Sequence, residues 1–403
     1  MTAKVSMYLL CVMLAILPAI VVTGQSTSTP PPMEMFVWDI STVDEAGLGS
    51  SLVIDAENAS HISYAAPDSP TPTVKLAQQA NGAWQVKSTP SLAGSEASLG
   101  AVTRLALDAQ GAHHIAYISY NQFSQRLYYV TDQQNPDWQT PVVLDGANFP
   151  SPSSVALAVD AANRPHVTYC AQEPNTLQQQ LRYAHFDGSQ WVNAPIGNEQ
   201  CWYASALAFD SQDVLHVAFY STTQDGAGGV LKHGKLLNGA WTIEVVYDSA
   251  DAGRRLSLAL GSDDSAHILY THGPANQAAK QIDAAPSLNY AYQVAGQWQI
   301  QTVGAAQSVG ATGELALALD SADQPFFVYA AQNPAALIFA WRDGGAWRSS
   351  GVEQEAVSLQ GLALQVDSDG NPRVAYSLDK LQKYAVGRRV TLPTMLHLPL
   401  ASR

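Results

Sequence analysis

Five histidines recur at one spacing in the chain, each six residues after an aspartate or its replacement. Histidine and aspartate are frequent metal ligands, but a metal ion needs three or four ligands that converge to about 2.1 Å. Side chains at equivalent positions of a rotational repeat point the same way around the array, not at one another. We therefore predict structural histidines, bonded to backbone or to the repeat aspartate, with no metal site and no cofactor. The histidines are His61, His114, His166, His216 and His267.

The position six residues before each histidine begins a polar turn. We predict that an aspartate there caps the turn by accepting hydrogen bonds from backbone amides. The segment 367–371, Asp-Ser-Asp-Gly-Asn, is similar to the first half of a calcium loop but lacks the downstream bidentate acid. We interpret it as an ordinary turn. The repeat aspartates are Asp55, Asp108, Asp160, Asp210, Asp320 and Asp367, and Gly261 takes the place in one copy.

Sequence motifs of catalysis do not occur in the chain: it has no Gly-x-Ser-x-Gly, His-Glu-x-x-His, phosphate loop or Cys-x-x-Cys. The Asp-box order Ser-x-Asp-x-Gly-x-Thr-Trp of sialidases does not occur either. Arg104, Arg254 and Arg255 would supply part of a carboxylate clamp, because a guanidinium binds a carboxylate in bidentate fashion. We assign no catalytic residue. The sequence leaves open whether the protein is an enzyme and favours a non-catalytic protein.

The elements that must position these residues are short strands in a repeat of about 50 residues. The segment 153–169, SSVALAVDAANRPHVTY, is typical, with a short apolar run, an Asp-led turn and a second run that ends on an aromatic residue. The first run alternates large and small residues, and the small face suits an innermost strand beside a central channel. The aromatic residues at this position are Tyr64, Tyr117, Tyr169, Phe219, Tyr270, Tyr329 and Tyr376.

A series of tryptophans begins the fourth strand-like piece of each unit and is out of phase with the aspartates. The chain opens with a Trp strand around Trp38 and closes with three strands, 359–386, that no Trp strand follows. Since an open sheet edge invites aggregation, we expect the opening strand to complete the last unit. The tryptophans are Trp38, Trp84, Trp138, Trp191, Trp241, Trp298 and Trp347.

This pattern resembles the repeats of seven-bladed β-propellers. The resemblance covers residues 34–388 and implies an all-β ring with a velcro closure, in which the N-terminal strand completes the last blade. It implies little about function, because the fold hosts many activities. Before the propeller in the sequence we predict a signal peptide at 1–24 and a Ser/Thr/Pro linker at 25–33, and after it a C-terminal tail at 389–403. An uncleaved membrane anchor is the alternative for the first segment.

Composition limits the partners. Charged residues make up 13% of the chain and the formal net charge is −14. Nucleic acid and anionic lipid both require a Lys/Arg-rich face, so both are disfavoured. We expect a secreted or cell-surface monomer with no membrane contact beyond the signal peptide.

Binding residues are expected on one face of the ring. Loops between blades and loops between second and third strands share this face, which we call the loop face. Arg104 stands where other copies carry Ser or Ala, so it is either a salt-bridged exception or a pocket group at the channel mouth. Cys170 and Cys201 fall on the same face, either as a disulfide or as two free thiols. The predicted ligand-binding residues are Arg104, Tyr120, Phe123, Trp202, Tyr203, Tyr247, Arg254 and Arg255.

Two functions fit these observations. The leading hypothesis is a secreted, non-catalytic propeller that binds glycan or extracellular protein ligands on the loop face, where aromatic residues and arginine form interaction hot spots. The alternative is a sialidase-like propeller enzyme, a glycoside hydrolase or lyase that acts on polysaccharide through Asp225, Asp248 or Asp251.

Overall fold

The structure is a computed structural model that describes residues 33–67, 72–90, 98–120, 125–135, 137–145, 154–173, 176, 178–222, 229–249, 252–273, 286–303, 309, 314–332, 334–356 and 358–392. The predicted signal peptide, the linker except Met33, Phe123 and the tail after Leu392 lie outside these residues. Glu34–Val390 forms one compact unit. Within the described residues, no helix is long and apolar enough to cross a membrane.

The described residues form seven antiparallel sheets of four strands each. The innermost strands are β2 (Leu48–Ile54), β6 (Ser98–Leu107), β10 (Val155–Val159), β14 (Cys201–Phe209), β18 (Ala252–Leu260), β22 (Leu315–Leu319) and β26 (Leu359–Val366). The second strands are β3 (Ser60–Ala66), β7 (His113–Tyr120), β11 (Pro165–Gln172), β15 (Leu215–Thr222), β19 (Ala266–His272), β23 (Pro325–Ala331) and β27 (Pro372–Leu378). The third strands are β4 (Thr73–Ala80), β8 (Gln125–Thr131), β12 (Gln179–Phe186), β16 (Gly229–Leu237), β20 (Ser287–Val294), β24 (Ala336–Asp343) and β28 (Leu381–Leu392). The outermost strands are β5 (Ala83–Ser88), β9 (Val142–Asp145), β13 (Trp191–Pro195), β17 (Ala240–Tyr247), β21 (Gln297–Thr302), β25 (Ala346–Gln354) and β1 (Met33–Asp44).

The seven sheets are blades arranged in a ring. Innermost strands contact one another in the order β2, β6, β10, β14, β18, β22 and β26, and β26 contacts β2. We number the blades from β2, so that blade 1 is β2–β5 and blade 7 is β26–β28 with β1. The fold is a seven-bladed β-propeller, as the repeat predicts.

The first and last strands close the ring. The order of blade 7 is β1-β28-β27-β26, so the N-terminal strand occupies the outer edge of the C-terminal blade. Phe36 of β1 packs edge-on against Phe339 and Trp341 of blade 6, with ring centroids 4.8 and 5.1 Å apart. The velcro closure is confirmed, and apolar packing against the preceding blade stabilises it.

Apolar side chains between adjacent blades form the core. The aromatic residue of each second strand is buried in all seven blades. Tyr117 of blade 2, for example, belongs to one cluster with Val74 and Leu76 of blade 1. Because each blade buries one face on each neighbour, the stability of a blade depends on both of them.

Blade 2 departs from the tryptophan register. Trp138 lies in the connection before β9 rather than in the outer strand, with φ of 71°. Its backbone amide donates to the carbonyl of Asn135 (3.0 Å), and its side chain is buried. The expectation that Trp138 begins a fourth strand is therefore wrong, because a turn places this tryptophan before the strand.

The repeat aspartates cap the turns between first and second strands, as predicted. Oδ1 of Asp160 accepts hydrogen bonds from the amides of Ala162 (3.0 Å) and Arg164 (2.7 Å). The same pair of bonds occurs in the other five turns that begin with aspartate. In the copy with Gly261, Asp263 accepts from the amide of Ser265 (3.0 Å) instead.

Four of the five recurrent histidines bond the repeat aspartate, as predicted, and the fifth, His267, contacts the hydroxyls of Ser265 and Tyr290. Nε2 of His166 donates to Oδ2 of Asp160 (3.3 Å), and its Nδ1 accepts from the hydroxyl of Tyr183 (2.5 Å). His61, His114 and His216 make the same aspartate contact. Arg373 takes over in blade 7, where Nη2 donates to Oδ2 of Asp367 (2.9 Å).

These turns are also bonded to one another around the ring. Three residues after the repeat position stands an Asn, Asp or Gly with positive φ. The Oδ1 of Asn163 accepts a hydrogen bond from the amide of Ala109 in the preceding blade (3.0 Å). Equivalent bonds occur at four further junctions, whose acceptors are Asp213, Asp264, Asp323 and Asn58. The two remaining positions are Gly111 and Gly370, which carry no side-chain acceptor.

Candidate ligand-binding site

The innermost strands are irregular at the end nearest the loop face. In five of the seven, the register with the second strand shifts within the first residues. A β-bulge adds an unpaired residue and re-aims side chains. Two of these irregular segments hold four predicted ligand-binding residues, namely Trp202, Tyr203, Arg254 and Arg255.

A cavity of about 520 Å³ lies between the innermost strands. Its wall includes the residue four positions before the repeat position in every blade, and six of these seven residues are serine or alanine. This confirms that the small face of the first strand lines the central channel. The seven residues are Ser51, Arg104, Ala156, Ala206, Ser257, Ala316 and Ala363.

Arg104 is the exception in this ring of small residues. Its Nη1 donates a hydrogen bond of 2.8 Å to the carbonyl of Thr103. Within the described residues, no carboxylate lies within ion-pair distance of the guanidinium, and Arg104 lines the cavity. Burial lowers the pKa of Arg104, while Glu314 opposes the shift. The guanidinium nevertheless remains charged.

Glu314 and Arg255 stand at matched positions of neighbouring blades, each six residues before the repeat position. They directly precede Leu315 and Leu256, which line the cavity. Burial raises the pKa of Glu314, and Arg255, Arg104 and a hydrogen bond with the Gly361 backbone oppose this shift. The edge of the cavity therefore carries a half-buried carboxyl whose charge interacts with two guanidinium groups.

Glu314 is not among the residues predicted from the sequence. The available signal was its register, because the other copies carry Gly49, Val102, Ser154, Ala204, Arg255 and Gly361 at this position. Two charged residues of opposite sign in adjacent copies of an otherwise small position indicate a pair at the channel mouth.

Two further predicted residues pack at the junction of blades 4 and 5. The guanidinium of Arg254 lies 6.0 Å from the ring centroid of Tyr220, within range of a cation–π contact. Tyr247 packs edge-on against the His272 ring at 5.4 Å. Nε2 of His272 is 3.1 Å from the hydroxyl oxygen of Ser249 in the connection between the blades. The structure thus places Arg254, Arg255 and Tyr247 at the junction of blades 4 and 5.

Tyr120 lies away from this group, at the end of β7 in blade 2. Its ring packs over Gly100 so closely that a Cβ there would lie 2.3 Å from a ring carbon. Burial raises the pKa of its hydroxyl. Tyr120 therefore packs against the irregular segment of β6 at Gly100. The same strand carries Arg104, four residues after Gly100.

Cys170 and Cys201 form a disulfide that joins two blades. Cys170 belongs to β11 of blade 3 and Cys201 begins β14 of blade 4, with their Cα atoms 5.7 Å apart. Both are buried. The backbone of Trp202 and Tyr203 follows directly in β14, and their side chains lie outside the described part of the structure.

Four junctions between blades carry a cluster that the sequence did not reveal. An acid at the end of one blade meets a cation on the third strand and a hydroxyl on the second strand of the next blade. Glu199 accepts from Ser221 (2.6 Å) and Lys232 (2.8 Å) at the junction of blades 3 and 4. We call Asp44, Asp145, Glu199 and Glu353 the junction acids.

Metal ligation finds no support in the described residues, where no three His, Cys, Asp or Glu side chains group as a metal site. Of the acids considered for catalysis, Asp248 is exposed, whereas Asp225 and Asp251 lie outside the described residues, as does Phe123.

Comparison with known proteins shows the fold. No protein-family model and no curated protein matches the chain. An ulvan lyase solved with a bound saccharide, -[GlcA(1-4)Rha3S]-, is similar over 88% of this chain and 96% of its own, with 11% identity and a TM-score of 0.59. A second polysaccharide lyase covers 86% and 90%, with 8% identity and a TM-score of 0.52. A mutant of AofleA from Arthrobotrys oligospora covers 79% and 90%, with 13% identity and a TM-score of 0.51. At these identities the likeness establishes the propeller fold and says nothing about the activity, which has to be argued from the residues of the site.

Proposed function

We propose that the protein is a secreted, non-catalytic propeller that binds a glycan at the channel mouth on the loop face. The observation that carries this proposal is Arg104 in the wall of the channel cavity, with Arg255 and Glu314 directly before the lining residues Leu256 and Leu315. A volume of about 520 Å³ is within the range of small-ligand sites. The presence of glycan-acting enzymes among proteins of the same fold supports the choice of ligand.

The groups at this mouth suit a sugar. Hydroxyls are bound by planar charged groups that donate or accept two hydrogen bonds, and Arg255 and Glu314 supply one group of each kind. Ser51 and Ser257 add hydroxyls in the cavity wall. Trp202, Tyr203 and Tyr247 remain the proposed stacking residues, because an aromatic face packs on the apolar face of a sugar ring.

The test is a glycan array followed by calorimetric titration of the glycans that bind. We expect Arg255→Ala and Glu314→Gln each to weaken binding about tenfold or more, since each removes a charge-assisted hydrogen bond. Arg348→Ala is the matched control, because Arg348 is half-exposed on outer strand β25 and pairs with Asp343 at the end of β24. Binding unchanged in both site variants, or no glycan bound, would overturn the proposal.

A catalytic function is the second candidate, and Glu314 is the observation that favours it. Burial raises the pKa of the Glu314 carboxyl, and carboxyls with a raised pKa concentrate in active sites, where they serve as general acids. The experiment is a screen of polysaccharides for cleavage products. Turnover that Glu314→Gln abolishes while glycan binding persists would establish an enzyme.

Secretion and a monomeric state remain part of the proposal. Sequencing of the N-terminus of the protein recovered from the medium tests cleavage near Gln25, and light scattering of the purified protein tests the mass. Retention in the cell fraction, or a mass of two or more chains, would contradict these two points. If the ligand is a protein instead of a glycan, the propeller would bind no glycan on the array. It would bind a secreted partner protein, and substitution of Arg104 or Arg255 would weaken that binding.

A further inference from the structure

We propose that the ligand is an acidic sugar and that Arg104 binds its carboxylate inside the channel. This inference rests on the proposed glycan-binding function and names the ligand class of the same site. Its starting point is the cavity wall, where Arg104 is the one charged side chain among the described lining residues.

The guanidinium of Arg104 has donors to spare. An arginine carries five N–H donors, and one hydrogen bond, to the carbonyl of Thr103, involves Arg104 within the described residues. The equivalent residues of the other six blades are serine or alanine. The charge of Glu314 acts on Arg104, but within the described residues the two side chains form neither a hydrogen bond nor an ion pair. The remaining donors of Arg104 are therefore available to a ligand.

The charges at the mouth favour a negative group. Arg104 and Arg255 supply two guanidinium groups and Glu314 supplies one carboxyl, so the three together carry a net positive charge. Positive charge that lines a channel attracts an anion, even though the whole chain carries a net charge of −14. An anion is the complement of this arrangement.

A carboxylate is the anion that the geometry favours. The guanidinium fork matches the two coplanar oxygens of a carboxylate in a bidentate pair. A sulfate ester also carries one negative charge, and it is the competitor that the experiment must exclude. Serine hydroxyls beside Arg104 in the ring, such as Ser51, can bond the neighbouring hydroxyls of a uronic acid.

The experiment titrates the intact protein with three oligosaccharides of equal length, one with uronic acid, one neutral and one sulfated. We expect the uronic-acid ligand to bind most tightly. Arg104→Ala should weaken that ligand about tenfold or more and leave the neutral one within about twofold. Arg104→Lys should restore only part of the loss, because lysine keeps the charge and lacks the fork.

Folding does not confound this test. Alanine already occupies the position in four blades, at Ala156, Ala206, Ala316 and Ala363, so Arg104→Ala should fold with an unchanged melting temperature or a higher one. Arg348→Ala serves as the arginine control outside the channel. A wild-type affinity of Arg104→Ala for the uronic-acid ligand overturns the inference, and so does a preference for the sulfated or the neutral ligand.

The outcomes also separate this inference from the proposed function. Equal binding of neutral and acidic ligands, insensitive to Arg104→Ala, leaves the glycan site in place and overturns the carboxylate. Binding of glucuronate monosaccharide that depends on Arg104, with no oligosaccharide bound, supports the carboxylate site and overturns the glycan function. No binding of either overturns both.

Discussion

The hydroxyl of Tyr64 donates a 2.7 Å hydrogen bond to Oδ2 of Asp44, across the junction where the ring closes. Asp44 ends the N-terminal strand in blade 7, whereas Tyr64 belongs to blade 1. Lys75, the cross-strand neighbour of Tyr64, lies 2.7 Å from the same carboxylate oxygen. Although burial opposes it, these bonds hold the pKa of Asp44 below its ordinary value. The closure is thus held by a polar cluster as well as by strand pairing.

Asp44→Asn should destabilise the ring, because it removes the charge that Lys75 and Tyr64 share in a partly buried setting. We expect a loss of about 1–3 kcal/mol in the free energy of unfolding, measured by urea denaturation. Asp39→Asn is the control, since Asp39 pairs with Arg388 in the same closing sheet but both side chains are about two-thirds exposed. Its effect should stay below about 0.5 kcal/mol. Equal losses in the two variants would show that the cluster contributes nothing special.

Acid should weaken the fold through its buried histidines. Burial, with the charges of His233 and Lys235, lowers the pKa of His216 from 6.5 to about 4. Between those values the unfolded chain binds a proton that the folded chain does not, so the free energy of unfolding decreases as the pH falls from 6.5 to about 4. Burial shifts the other repeat histidines in the same direction, namely His61, His114, His166 and His267.

His216→Phe tests this assignment, because blade 6 naturally carries Phe326 at the equivalent position. The variant should be less stable than wild type at pH 7.5, since Asp210 loses its partner. Its loss of stability between pH 6.5 and 4.5 should be smaller, by at most about 1.4 kcal/mol per pH unit. Urea unfolding at several pH values gives the comparison. An unchanged slope would mean that other groups cause the acid sensitivity.

Reduction of the disulfide should also destabilise the ring. Cys170 and Cys201 are 31 residues apart. A cross-link of this span lowers the entropy of the unfolded chain and so stabilises the fold by about 3–4 kcal/mol at 25 °C. We expect the melting temperature of wild type to fall in a reducing phosphine. The double variant Cys170→Ala/Cys201→Ala should melt at the lower temperature with or without the reductant. A reductant that lowers both proteins equally would point to another target.

Gly111→Asn should stabilise the protein. Gly111 has φ of 79° and stands where other blades carry the Asn or Asp that bonds the preceding turn. A Cβ at this position meets no atom within 4 Å, so asparagine fits and can accept a hydrogen bond from the amide of Ala56. We expect a gain of about 0.5–1 kcal/mol in the free energy of unfolding.

Gly82→Asn provides the comparison for that gain. Gly82 has a similar φ of 77° and equally open space, but it lies in the hairpin between β4 and β5, on the outer side of blade 1. The substitution there should change stability little or reduce it. A gain at both positions would assign the effect to the unfolded chain rather than to the bond between turns.

Much of the site could be read from the alignment of the repeats. Arg104 is visible as an arginine in a column of serine and alanine, and the structure places it in the channel wall. Glu314 is visible by the same comparison with Arg255. The junction acids could not be found in this way, because their distance from the repeat position of the next blade varies. It is 11 residues for Asp44 and Glu199, 14 for Glu353 and 15 for Asp145. Each is defined by a contact with the next blade.

The sequence by itself determined the number of blades, the closure by the two ends and the roles of the Asp-led turns and their histidines. These features arise from local periodicity and from bonds between residues a few positions apart, so they are visible as a repeated pattern in the sequence. Only the tertiary structure decided which charges meet at the channel, because Arg104 and Glu314 come from blades 2 and 6 and are close only when the ring is closed. The irregular starts of the innermost strands, which present Arg254 and Arg255, likewise depend on how each strand fits against its neighbours in the crowded centre.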